Sequence, residues 1–430
     1  MTSTSKKIGW KVGAALVIAN MIGTGVFTSL GFQLVDIQNS WSIVILWLLG
    51  GVMALIGALC YAEVGSAFHK SGGEYVFLSR LYHPFLGYLA GWVSLFVGFA
   101  APVALAAMAL GAYGSNVVDV PPKYLALGVL LVVSAIHSFN LRASSRFQAW
   151  ATWFKVLLIG FLIGAGMLIG RETTALDFSS AWTSEILTPS FAIAFVYVSY
   201  SYTGWNAAAY IVEEIDRPRV NLPRALVQGT LLVVVLYVLL QLVFLKHGSL
   251  DSLKGVLDVG HVFAENVFGP GGASLINLLI AFFLISSISA MVWVGPRVSM
   301  AMGADYPLWG FLKRKNRYDI PVTAIWFQTA ISMVYVMTGT FESVLLYCGF
   351  ILQLSSALAV GGVFVLRNKK IGEDRFKSPW YPVLPLVFIL LSLWILGYLL
   401  ADQPRESLTG LLILLIGAGT YFLSKKRPGR

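Results

Sequence analysis

The chain has 430 residues, 57% of them hydrophobic and only 12% charged, with a mean hydropathy of +0.78. The charged share is about half that of soluble proteins, and no soluble fold of this size buries so much apolar chain. Disorder, collagen, a disulfide scaffold and an ordinary cytosolic enzyme are excluded together, which leaves a polytopic membrane protein. The net charge of +10 would raise nucleic-acid binding in a soluble protein. Here the basic residues sit in short loops, where they set topology instead.

A helix needs about 20 apolar residues to cross the hydrocarbon core. Runs of that order fall at 10–36, 41–66, 84–113, 124–140, 147–170, 189–215, 222–245, 273–303, 321–339, 343–366, 381–401 and 408–424. The prediction is an all-α protein with twelve spans. The first run begins near Ile8 and is too long for a signal-peptide core. With the N-terminus inside, 24 of the 30 Lys and Arg fall in cytoplasmic loops and tails, among them Lys6, Arg142, Arg146, Lys425, Lys426, Arg427 and Arg430. Lys123, Arg171, Lys246, Lys254 and Arg405 fall outside, and Lys155 alone lies within a span. That bias predicts a cell-membrane protein with both termini cytoplasmic. Between spans 2 and 3, Tyr75, Phe77, Leu78 and Leu81 recur at helical spacing, so 71–82 reads as an interfacial helix. Residues 258–268 read as a short extracellular helix before span 8.

Two spans carry polar, glycine-bearing interruptions at mid-membrane. In span 1 it is Asn20-Met21-Ile22-Gly23-Thr24-Gly25, and in span 6 Ser201-Tyr202-Thr203-Gly204-Trp205-Asn206. Non-helical backbone at membrane depth is tolerated only where protein or a cavity surrounds it. Its freed N–H groups, with the positive end of the next half-helix, suit a carboxylate. Its freed carbonyls suit an ammonium, and an amino acid carries both charges on one carbon. The competing reading is that Gly23 and Gly25 are packing glycines. Spans 1 and 6 are five apart, however, as expected if spans 1–5 and 6–10 are inverted repeats, and paired interruptions point to a transporter site. The units are then 1–170 and 189–366, with 367–430 as two further spans and a tail.

These residues resemble a known family. Ile22-Gly23-Thr24-Gly25-Val26-Phe27, Cys60-Tyr61-Ala62-Glu63-Val64-Gly65 with Lys70-Ser71-Gly72-Gly73-Glu74-Tyr75, and Gly204-Trp205-Asn206 followed by Glu213-Glu214, Pro218 and Asn221-Leu222-Pro223-Arg224-Ala225 stand in its order and spacing. The chain is similar to the amino acid–polyamine–organocation (APC) transporters, closest to L-type amino-acid transporters and related bacterial permeases, over about residues 1–370. The resemblance implies a LeuT-type fold of 5+5 inverted repeats plus two C-terminal helices. It implies that Gly23, Thr24 and Gly25 receive a substrate carboxylate. Carbonyls near Ile22 and at Tyr200 and Ser201 receive the α-ammonium, Trp205 and Asn206 line the pocket and path, and Tyr200 is the aromatic lid. Mammalian L-type members pair with a glycoprotein through a cysteine after span 3. The loop 114–123 has none, so no disulfide-linked heavy chain is expected.

An ammonium near the bilayer centre costs roughly 2.5–3.5 kcal/mol on insertion scales, so Lys155 either snorkels or has partners in the bundle. In sodium-coupled members of the resembled fold a sodium ion bridges spans 1, 5 and 8, and in several sodium-independent members a span-5 lysine replaces it. The resemblance gives Lys155 that place, with carbonyls of the first half of span 1 and one of the hydroxyls of Ser286, Ser287 and Ser289 as partners. Transport is then sodium-independent, as amino-acid exchange or proton symport.

No Asp or Glu lies at mid-depth in a span, which disfavours cationic side chains and polyamines and leaves neutral amino acids. Glu63, Glu213 and Glu214 are expected to pair with Arg80, Arg217, Arg219 or Arg224 in a cytoplasmic gate network. The five histidines and two cysteines show no metal-type spacing, and no GxSxG, HExxH or P-loop occurs. The chain therefore reads as no enzyme, with neither metal nor cofactor. An amino-acid-sensing receptor on the same fold, and a permease for amines or polyamines, are the alternatives.

Overall fold

Lipid offers backbone N–H and C=O groups no partners, so apolar stretches of this length fold as helices that satisfy themselves. The computed structural model follows that rule and describes residues 7–139, 142–169 and 178–424, with 142–149 as backbone only. Among these residues nine helices are long and apolar enough to cross a membrane, and one bent pair makes a tenth. The bent pair is span 1, Trp10–Met21 and Gly25–Gln33, with a 43° bend between its halves. Span 2 is Ser40–Phe68, span 3 Pro84–Ser115, span 4 Pro122–Phe139 and span 5 Arg142–Leu168. Span 6 is again interrupted, Pro189–Ser201 followed by a tight 3₁₀ stretch, Ala207–Glu214. Span 7 is Pro218–His247, and span 8 lies in the helical stretch Val259–Asp305. Spans 9 to 12 are Val322–Thr338, Phe341–Asn368, Val383–Asp402 and Pro404–Ser424. Each apolar run expected from the sequence thus coincides with a helix or helix pair.

Span 7 packs along spans 1 and 2, and span 8 along span 3. Glycines set some of these distances: an added Cβ would meet Ala225 at 2.9 Å from Gly13 and Val17 at 2.9 Å from Gly229, the close approach that small residues allow. The expected helix before span 8 is present and ends at Gly269, whose φ of +73° breaks the helical path before Pro270. The interfacial helix is Glu74–Leu81, with Phe77, Leu78 and Leu81 buried.

Span 3 departs from expectation in one turn. Residues Ser94–Phe99 form a π-helical turn, which frees carbonyls from the regular ladder. Span 9 supplies donors: Tyr335 Oη donates to the Phe96 carbonyl at 2.9 Å and Ser332 Oγ to that of Ala100 at 2.8 Å.

Arg367 and Arg375 meet on Glu63 at the end of span 2, Arg219 pairs with Asp374 of the same segment, and Lys7 precedes Ile8, which is bonded to Glu214 and Asp216; this end is called the basic face below. Lys6, Arg171, Lys425, Lys426, Arg427 and Arg430 lie outside the described residues, as do the side chains of Arg142 and Arg146. Near this face the chain start is clipped to the end of span 6, with Ile8 N–H donating to the Glu214 carbonyl at 2.8 Å and Asp216 N–H to that of Ile8 at 2.9 Å.

Candidate functional site

A helix leaves its first N–H and last C=O groups without internal partners, so two broken spans place such groups inside the membrane. In span 1 the first half ends at Met21 and the second starts at Gly25. The carbonyls at this break are claimed by other spans. Lys155 Nζ of span 5 donates to Ile22 O at 3.0 Å, to Ala19 O at 3.4 Å and to Ser287 Oγ of span 8 at 2.8 Å. Tyr237 Oη of span 7 donates to Met21 O at 2.6 Å, and Gln241 Nε2 to Val26 O at 2.9 Å. Lys155 is 2% exposed, so it does not snorkel, and its charge is spread over two carbonyls, a hydroxyl and the ring of Phe283, 5.1 Å away. Of the other two serines on span 8, Ser286 donates to its own Phe283 carbonyl at 2.7 Å, and Ser289 meets His137 Nε2 of span 4 at 2.8 Å. Ser287 alone of the three reaches Lys155.

The second break closes largely on itself. Thr203 donates twice to the Tyr200 carbonyl, through N–H at 2.9 Å and Oγ1 at 2.7 Å. Ser201 Oγ donates to Tyr197 O at 2.8 Å. Gly204 has φ +100°, a conformation closed to side chains, and a Cβ there would lie 2.7 Å from the carbonyl carbon of Asn20. The two breaks therefore meet at backbone distance.

Of the three residues expected to take a carboxylate, Gly23 has open space where a Cβ would stand, its nearest neighbour Met21 O at 3.8 Å. Gly25 does not: a Cβ would lie 2.4 Å from Ser201 Oγ and 2.5 Å from Ser201 Cα. The packing reading thus describes Gly25 in this conformation, while Gly23 stays open. Thr24 Oγ1 lies 3.4 Å from Tyr200 Oη, and Ser29 Oγ 2.8 Å from Ser201 Oγ. Two side-chain pairs therefore join the half-helices. The Ile22 carbonyl, expected to face an ammonium, accepts Lys155 and keeps one lone pair, whereas both lone pairs of the Tyr200 carbonyl are taken by Thr203.

Trp205 and Asn206 turn toward other partners. The Trp205 ring stands edge-on to Tyr61 of span 2 at 4.7 Å and near Phe388 of span 11 at 6.4 Å. Together with Tyr200, Thr203, Gln353 and Ser356 it lines a cavity between spans 2, 6, 10 and 11. Asn206 Nδ2 donates to Glu74 Oε1 at 2.7 Å.

The expected cytoplasmic pairings are corrected by the structure. Glu63 is fully buried and is held bidentately by Arg367, Nε to Oε1 and Nη2 to Oε2 at 2.8 Å each, and by Arg375 Nε at 3.2 Å. Ser378 adds its N–H at 2.9 Å and its Oγ at 2.7 Å. Arg367 is in the last turn of span 10 and the segment after it packs against the end of span 2, with Phe376 N–H donating to Ser66 Oγ at 3.1 Å, so they bring their charges closer than the expected loops. Arg80 lies over the Phe68 ring, Arg217 beside Asp216, and Arg219 on Asp374. No ion pair among the described residues involves Glu213 or Glu214. Outside the spans, burial and the nearby Asp305 carboxylate hold the Tyr75 phenol above its usual range.

Three side chains of the site were missed from the sequence: Tyr237, Gln241 and Glu74. Gln241 had a readable signal, a polar residue in the apolar run of span 7 with Tyr237 one turn away on the same face. Glu74 had none beyond its place in the Gly-Gly-Glu-Tyr stretch.

Two broken spans meeting at their interruptions, the first tied to span 8 by a buried ammonium, define a helical membrane transport protein of the broken-span class. The profile of the amino acid permease family matches residues 8–421, and the chain belongs to that family, within the APC superfamily. It is 28% identical to the b(0,+)-type amino acid transporter 1 of Homo sapiens over 98% of this chain and 88% of that protein. To the serine/threonine exchanger SteT of Bacillus subtilis (strain 168) it is 27% identical, over 98% and 97%. To the Asc-type amino acid transporter 1 of Mus musculus it is 26% identical, over 97% and 81%.

Proposed function

We propose that this chain exchanges neutral L-amino acids across the membrane by alternating access, without sodium. The observation that carries the proposal is the position of Lys155. Its ammonium joins the end of the first half of span 1 to span 8 through Ile22 O, Ala19 O and Ser287 Oγ. A fixed cation there supplies the charge that would otherwise have to be bound from solution, so no ion need accompany the substrate. Gly23, Thr24 and Gly25 offer the substrate carboxylate the N–H groups and positive end of the second half-helix. The carbonyls near Ile22 and at Ser201 face the α-ammonium, the Tyr200 carbonyl joins them by giving up one of its two Thr203 donors, and Tyr200 acts as the lid. Trp205 lines the side-chain cavity, and Asn206 the path below it.

Relatives aligned over 97–98% of this chain, each 27% identical, support exchange and a neutral substrate: one is named a serine/threonine exchanger, another a large neutral amino acids transporter small subunit. The repeats 1–170 and 189–366 form the two halves of the exchanger, with 367–430 as appended spans. The basic face is cytoplasmic, with both termini on it, and no disulfide-linked heavy chain takes part. No step in this cycle is enzymatic.

Purified protein in liposomes tests the proposal. Radiolabelled neutral amino acid should enter only when unlabelled amino acid is inside, and equally in sodium and choline media. Sodium-stimulated uptake would refute the lysine-for-sodium reading. Uptake into empty vesicles driven by an imposed proton gradient would replace exchange with proton symport.

A further inference from the structure

Glu74 is 7% exposed, and three donors from two other elements converge on it. Tyr61 Oη of span 2 donates to Oε1 at 2.7 Å, Asn206 Nδ2 to the same oxygen at 2.7 Å, and Tyr210 Oη to Oε2. Among the described residues no cation pairs with it. The neighbouring residues grip the same stretch of span 6. Gly72 N–H donates to the Tyr210 carbonyl at 3.1 Å, Ser71 Oγ accepts from Glu213 N–H at 3.1 Å, and a Cβ on Gly73 would strike the Tyr210 ring at 2.4 Å. Residues 71–74 therefore form a socket for 206–213, the half of span 6 between the break and the basic face.

We infer that Glu74 is a positioning residue of the inner gate: its carboxylate docks the second half of span 6 onto the interfacial helix and must release Asn206 and Tyr210 for the path to the basic face to open. This rests on the transporter reading above. The chemistry favours a carboxylate over any neutral side chain. An ionised carboxylate only accepts, at about four lone-pair sites, so three donors fit it without conflict. A glutamine keeps one accepting oxygen for Tyr61 and Asn206, but its NH₂ makes the Tyr210 hydroxyl turn from donor to acceptor and leaves all three hydrogen bonds without a charge. Hydrogen bonds to an ionised group are about twice as strong as neutral ones, yet a buried charge with no counter-cation costs several kcal/mol unless such dipoles hold it. The contact is therefore firm while complete and weak once one donor leaves, as suits a latch. Alternating access requires one side of the path to be shut, and this latch begins at Asn206, the last residue of the second break.

The test uses the full chain with Ala207→Cys as a reporter at the start of the docked stretch. Both native cysteines are buried, so wild-type protein gives the blank. Glu74→Gln should raise the rate at which a membrane-impermeant maleimide labels Cys at 207 by about tenfold, the response to losing one charged hydrogen-bond network. In exchange assays the same variant should change the ratio of apparent KM between the two membrane sides, whereas mere loss of folded protein lowers only the maximal rate. Tyr210→Phe, which removes one donor, should show a smaller rise, and Glu74→Asp, which keeps the charge, should restore much of the wild-type rate. Labelling and KM ratio unchanged in Glu74→Gln would overturn the inference. If Glu74→Gln does not fold, Tyr210→Phe decides by the same two readouts, and unchanged values there overturn it equally. Labelling needs no substrate, so a protein that transports no amino acid yet labels as expected would sink the transporter reading and leave the docking contact standing.

Discussion

The two breaks solve the same problem, backbone polarity inside a membrane, by different means. The first is satisfied from a distance: Lys155 of span 5 and Tyr237 and Gln241 of span 7 take the carbonyls of Ala19, Met21, Ile22 and Val26. The second is satisfied mostly by itself, through Thr203 and Ser201 on carbonyls one turn back, with a left-handed glycine to complete the turn. A break whose partners sit on two other spans is a junction of the scaffold. A break that carries its own caps meets the rest of the fold through side chains, Tyr200 and Ser201 on Thr24 and Ser29 and Asn206 on Glu74, and through the close approach of Gly204 to Asn20. Substitutions at the two sites should therefore fail in different ways.

The largest effect is expected at Gly204. Alanine there meets a positive φ that costs about 1–3 kcal/mol and drives its Cβ to 2.7 Å from the Asn20 carbonyl carbon and oxygen, for which overpacking adds about 1–3 kcal/mol. No flexible side chain can yield, because the obstacle is backbone. Gly204→Ala should lower the melting temperature of the purified protein and reduce exchange to background. A variant with wild-type melting and exchange would show that the second turn is not held as described.

Lys155→Ala comes next. It strands two carbonyls and the Ser287 hydroxyl, at about 1–3 kcal/mol for a buried unsatisfied group, and it also removes a buried charge, which is itself costly. The terms oppose, so stability should change by less than at Gly204, while the tie between spans 1 and 8 is lost. Exchange per molecule of purified protein should fall at least about tenfold with expression largely kept. Unchanged exchange would mean that the junction is structural filler.

These differences show what a sequence discloses. Both breaks were legible, because glycine beside polar residues in the middle of a 20-residue apolar run has few explanations. Lys155 was legible as a lone charge in an apolar run, but its pairing with span 1 came from the family resemblance and not from the residues alone. The single serine it selects was not, since Ser286, Ser287 and Ser289 differ only in rotation about the axis of span 8. Glu63 was recognised as a member of an ion network but given the wrong arginines. Its partners Arg367 and Arg375 lie some 300 residues away, and pattern along a chain carries no information about which loop folds beneath which span. Glu74 was hidden because its helix reads as amphipathic, and Gly25 kept two readings open because a packing glycine and a ligand-facing glycine are the same residue until the opposing Ser201 is seen.

The smallest predicted effect tests the first break where its satisfaction is incomplete. Gln241 gives its amide to the Val26 carbonyl at 2.9 Å, but its own Oε1 is buried with no partner among the described residues. Replacing it by leucine strands the Val26 carbonyl and at the same time removes that orphan acceptor. Each contribution is about 1–3 kcal/mol and of opposite sign, and the apolar surroundings of span 7 favour leucine. Gln241→Leu should thus shift stability by no more than about 1 kcal/mol and leave exchange within a few-fold of wild type, measured by thermal melting and liposome uptake. A loss as large as that of Lys155→Ala would mean that the Gln241 oxygen has a partner that appears only during transport, and that the first break is less fixed than its hydrogen bonds imply.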